Sequence, residues 1–175
     1  MSPSVPEFVP PGSAPWCLFA GLALAGRTAD LVSTWIATPN LALEGNPLAR
    51  RLGWRWGIPI NGLASLGIGC LPGLAIAVAT TSALVAARNF QNAWIMRSMG
   101  EWSYRLWMSE RIDEAPRALP ALSFIAEAGL TLVPGLALVL FTEPGGVAPS
   151  VGLGICAYSA AVALFTLMAL WRRRG

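Results

Sequence analysis

The chain has 175 residues, of which 55% are hydrophobic and only 12% charged, with a net charge of +3 and a mean hydropathy of +0.57. Soluble domains carry about a quarter charged residues, so the four long apolar runs read as a membrane chain of one domain. All 12 basic residues are Arg, most of them at helix ends and not on one face, which argues against nucleic-acid binding. There is no His, which excludes Ser-His-Asp or Cys-His catalysis within the chain and removes the commonest zinc and haem ligand.

Residues 1–13 are rich in Pro and Gly and are expected to form a mobile tail, with residues 14–175 as the single membrane domain. No basic residue precedes the first apolar run, so a cleaved signal peptide is not expected. The first helix is predicted over about 15–37, with Trp16 and Trp35 near its ends and Pro39 beyond it. Its 23 positions would span ~34 Å. Asn46-Pro47 reads as a cap followed by the first helical position of a short interfacial helix. The second helix is predicted over about 58–87, long enough to need tilt or a kink, with Leu71-Pro72-Gly73 supplying the kink. Ile95, Met99, Trp102 and Leu106 recur at helical spacing, and Glu101 precedes Arg105 by four, so an amphipathic surface helix is predicted over about 89–112. The third and fourth helices are expected over about 121–141, with a break at Pro134-Gly135, and about 151–171, stopped by Arg172, Arg173 and Arg174.

The fold expected is an all-α, four-helix membrane bundle with a cytoplasmic amphipathic interfacial helix. Four crossings place the tail, residues 88–118 and the C-terminus on one side, with eight Arg against three on the other. The positive-inside rule then puts both termini in the cytoplasm of a bacterial inner membrane. Cys17, Cys70 and Cys156 lie in different apolar runs and read as small hydrophobes.

Charges inside the apolar runs need a reason. Arg27, Asp30 and Thr34 share one stripe of the first helix, and Glu127 is the deep charge of the third. They admit a structural reading, in which an Arg27–Asp30 pair or an Arg27–Glu127 bridge fixes helix register. They also admit a functional one, in which Asp30 with Glu44 or Glu127 moves a proton or holds a cation. Glu44-Gly-Asn46-Pro47 reads as a capped turn or as an outer-loop motif folded back on Asp30. Trp94, Met99, Trp102 and Trp107 read as interfacial anchors or as a partner-binding face. No metal site, cofactor or catalytic residue is expected.

Asp30-Leu-Val-Ser-Thr34 followed by Glu44-Gly-Asn46-Pro47-Leu resembles the D-x-x-x-T … E-x-N-P-L signature of a family of small bacterial multi-pass membrane proteins of unknown function. The resemblance covers about residues 25–90. It implies a membrane fold and weight on Asp30, Thr34, Glu44, Asn46 and Pro47, but no reaction. Where family members often carry a Lys early in the second helix, this chain has Asn61. The expectation for function is a non-enzymatic membrane accessory or assembly protein that docks on a larger membrane complex, its partners being lipids and a membrane protein or further copies of itself. The alternative is ion, proton or small-solute transport through a homo-oligomer.

Overall fold

The computed structural model describes residues 4–116 and 118–172, with side chains to 168. Among the described residues there are six helices and no strand: α1 (Ala14–Ala37), α2 (Pro47–Ile68), α3 (Pro72–Met99), α4 (Glu101–Glu114), α5 (Ala118–Phe141) and α6 (Val147–Arg172). Three of these, α3, α5 and α6, are long and apolar enough to cross a membrane. The tandem expected as one kinked helix over 58–87 is instead two helices. Cys70 N donates to Gly67 O at 3.1 Å and Leu71 N to Ile68 O at 2.8 Å, closing a turn. Pro72 then opens α3, where its missing N–H costs nothing. The proline marks a reversal of the chain and not a bend within it.

Helix directions follow from the contacts. Trp16 Nε1 donates to Leu66 O at 3.1 Å and Trp54 Nε1 to Pro39 O at 2.7 Å, so α1 and α2 run antiparallel. Asn89 Nδ2 donates to Thr34 Oγ1 at 3.0 Å and Thr38 Oγ1 to Glu101 Oε2 at 2.7 Å, so α1 and α3 run parallel. Thr131 and Ser159 hydroxyls meet at 2.8 Å between antiparallel α5 and α6. Among the described residues the chain therefore makes five passes along the bundle, and residues 4 and 172 lie at opposite ends. The expected four passes, with both termini at one end, do not describe it.

The end that begins α1 also holds the 69–71 and 142–146 turns. Val9 N donates to Cys70 O at 2.9 Å and Val5 N to Gly145 O at 2.8 Å, and Val9 is buried. Residues 4–13 are thus laid onto that end, where a free tail was expected; residues 1–3 lie outside the described part. The opposite end holds the 38–46 loop, α4 and the close of α6.

Near the first end the helices touch through small residues. A Cβ on Gly26 would stand 2.8 Å from Ala79 Cα, and one on Gly69 2.6 Å from Ala20 Cβ. Such close approach gains dispersion contact that larger side chains would block. α5 runs through Pro134 without the expected break, because membrane helices tolerate proline where neighbours repack around it. The expected amphipathic helix over 89–112 divides at Gly100, which adopts φ 80° and ψ 149°. That conformation suits glycine alone, so the Ile95–Met99–Trp102–Leu106 stripe is split between α3 and α4. Glu101 and Tyr104 form the buried side of α4, while Trp102, Arg105 and Leu106 all point outward. The expected Glu101–Arg105 pair does not form: Arg105 lies over the Trp102 ring at 5.9 Å.

Candidate functional site

Beyond the small-residue contacts, the bundle opens toward the loop end into a cavity of about 620 Å³ to which all six helices contribute. Its deep wall is polar. Arg27 Nη1 donates to Asp30 Oδ2 at 2.9 Å and to Ser82 Oγ at 3.3 Å. Arg27 Nε donates to Asn61 Oδ1 at 2.8 Å, and Nη2 donates to the same oxygen. Asn61 is positioned by its own bond to Gly57 O at 2.7 Å. Three groups, one from each of three helices, thus hold one guanidinium through four bonds, which makes a deep charge tolerable. The cation beside Asn61 is supplied by α1.

The Arg27–Asp30 pair is present, and the Arg27–Glu127 bridge is not. Glu127 bonds Arg88 instead, at 3.1 Å. Arg88 was expected to lie at a surface, and nothing in its sequence context, at the end of an apolar run, pointed to Glu127. One turn above Asp30, Thr34 accepts from Asn89, which also donates to Ser33 Oγ at 3.2 Å. Asn89 and Ser82 were missed by sequence reasoning. Their signal was available, since they are seven residues apart on one stripe of α3 facing the Arg27–Thr34 stripe of α1.

At the loop end Asn46 Oδ1 accepts from Leu48 N at 2.9 Å and Ala49 N at 3.4 Å, with Pro47 following, so the expected cap is formed. Glu44 Oε1 accepts from Asn46 N at 2.7 Å. Asp30, Thr34, Glu44 and Asn46 all line the cavity, so the 44–47 loop motif and the helix-one motif meet in one place.

The group sequence reasoning misread most is Glu101. Its carboxylate accepts from Thr38 Oγ1 (2.7 Å), Asn40 N (2.8 Å), Asn40 Nδ2 (3.0 Å) and Ala42 N (2.9 Å). Thr38 Oγ1 in turn accepts from Leu43 N at 3.1 Å. Burial pushes the Glu101 carboxyl up, but the bonds from Asn40, Thr38 and Ala42 outweigh it and hold the group below the usual glutamate range. One side chain therefore fixes the loop that roofs the cavity, directly past the end of α1.

Trp94, Trp102 and Trp107 are exposed, while Met99 is half-buried; none lines the cavity. Among the described residues no group of three His, Cys, Asp or Glu could hold a metal ion, and the three cysteines are free. Comparisons with family models, with curated proteins and with solved structures find no match to this chain.

Proposed function

We propose that the protein is a non-enzymatic integral membrane component that docks on a larger membrane complex through α4 and the adjoining end of α3. The observation that carries this is the character of α4. Trp94, Trp102 and Leu106 are each about two-thirds exposed (70%, 66% and 66%). Trp102 and Leu106 stand beside Arg105 on α4, whose buried side is already committed to Glu101 and Tyr104, and Trp94 stands on the adjoining last turns of α3. A helix lying on a bilayer needs a segregated apolar face; α4 has none, and mixed aromatic and Arg surface is what protein interfaces favour. Purification of the tagged chain from its own membrane in native nanodiscs, followed by intact-complex mass spectrometry, tests this. A stoichiometric partner lost in Trp102→Ala/Leu106→Ala is expected; recovery of the chain alone would overturn it.

The site of action we propose is a bacterial cytoplasmic membrane. Arg50, Arg51, Arg55, Arg97, Arg105, Arg111 and Arg172 belong to the loop end, whereas the turn end carries Glu7 and Glu143 and no Arg within residues 4–13, 69–71 and 142–146. With five passes, the positive-inside rule favours the loop end and C-terminus in the cytoplasm and the N-terminus outside.

Transport is the second reading, favoured by a polar cavity that reaches Arg27 and Asp30 at mid-bundle. The small-residue contacts below it seal a single chain, so a path would have to open at Gly26 and Ala79 or run between copies. Proteoliposome flux abolished by Asp30→Asn supports that reading, and unchanged flux removes it.

A further inference from the structure

We infer that the cavity is a binding site for a lipophilic cation, a molecule with one positive charge and an apolar body; this goes beyond the docking role proposed above. Its volume of about 620 Å³ falls within the ~300–1,000 Å³ of small-ligand sites. The charges in its wall decide the sign of the ligand. Arg27 is closed by Asp30 and Arg88 by Glu127, at 2.9 and 3.1 Å. Glu44 lines the cavity and forms no ion pair among the described residues. An anion would meet two carboxylates and no available cation, whereas a cation meets Glu44 uncompensated. Met96, Met108, Phe165 and Trp54 contribute soft and aromatic apolar surface to the same cavity, and a Cβ on Gly45, next to Glu44, would stand 3.7 Å from Phe165 Cβ. Methionines adapt to ligands of irregular shape, and an indole face attracts a positive charge. The indole is held in place by its bond to Pro39 O. Asn46 N already occupies Glu44 Oε1, which orients the carboxylate and leaves its other oxygen for the ligand.

The test is equilibrium binding of tetraphenylphosphonium to the full chain in nanodiscs, against empty nanodiscs and against tetraphenylborate, its anionic counterpart. The expected result is saturable uptake of one cation per chain. Glu44→Gln, which keeps an oxygen for Asn46 N, should weaken it about tenfold or more, and Met96→Trp, which fills the cavity, should abolish it. Glu143→Gln, at the far end, should leave it unchanged. Uptake no greater than in empty nanodiscs, equal saturable uptake of the borate, or wild-type affinity in Glu44→Gln would each overturn the inference. Should Glu44→Gln fail to fold, the phosphonium–borate comparison on the native chain decides it alone.

Discussion

The two halves of the α1–α3 pair are built from the same parallel helices and behave oppositely. Toward the turn end, Gly26 and Ala79 bring backbones into contact and leave no room. From Arg27 onward, Asp30, Ser33 and Thr34 face Ser82, Asn89 and, past the helix end, Glu101, and the cavity opens. Both halves exclude unpartnered polar groups: no buried side-chain N or O among the described residues lacks a hydrogen-bond partner. The difference lies in side-chain size and in how much of the helix surface must be satisfied by bonds. Small residues close a seam by contact alone, whereas polar residues fix register at specified points and leave space between them. A charge in this chain can therefore be structural and still border a site.

That contrast can be broken at four points. The largest effect is expected at Glu101, where Glu101→Ala strips four hydrogen bonds from the 38–42 loop. A loss of about 3–4 kcal/mol follows from the worth of charge-assisted bonds, with faster amide exchange at Asn40, Ala42 and Leu43 as the readout. Its pH dependence has a definite sign. Because the folded carboxyl lies below its ordinary value, the stabilisation is present above the unfolded pKa and is lost as pH falls through the folded one. Thermal melts of the native chain should decline in that acid window, and those of Glu101→Gln should not decline as steeply.

Asp30→Ala comes next, at about 3 kcal/mol. This is the low end of the figure for breaking buried pairs, because Arg27 keeps 31% of its side chain exposed. The additional replacement Arg27→Met should recover much of it in a double-mutant cycle; a strictly additive loss would mean the pair is not coupled. In the dry half, Gly26→Ala forces a Cβ against the Ala79 backbone, and about 1–3 kcal/mol is expected from overpacking, relieved in part by no side-chain change at Ala79 short of Gly. Asn46→Ala should cost least, about 1 kcal/mol, as a lost helix cap.

Much of the local structure was legible. The cap at Asn46-Pro47, the Arg27–Asp30 pair and the ends of α1 follow from spacing and from the cost of charge in an apolar run. What could not be read was where a proline reverses the chain. Pro72 after Gly67 and Gly69 is compatible with a kinked helix or with a turn, and only the partners of residues 54–66 on α1 distinguish them. Those partners, Pro39 just past α1 for Trp54 and Arg27 for Asn61, are 15 and 34 residues distant in the chain. The parity of the passes depends on that one turn, so the described ends of the chain fall at opposite ends of the bundle and not at the same one. Glu101 was misread for a related reason: helical spacing offers Arg105 as a partner, but Gly100 re-aims the side chain toward a loop some sixty residues away, which no local pattern encodes. Of the candidate site, Asp30, Thr34, Glu44 and Asn46 were found from sequence, while Ser82, Asn89 and the Arg88–Glu127 pair required the tertiary pairing of α3.

The reversal at residues 69–71 carries the whole arrangement, and it is tested most directly by cysteine labelling. In a chain with Cys17, Cys70 and Cys156 replaced by Ala, single cysteines at the exposed positions Ser4→Cys and Ser103→Cys would be treated in intact cells with a membrane-impermeant maleimide. Five passes predict that Ser4→Cys reacts at once and Ser103→Cys only after the membrane is permeabilised. Labelling of both positions from the same side would contradict the reversal and restore an even number of crossings.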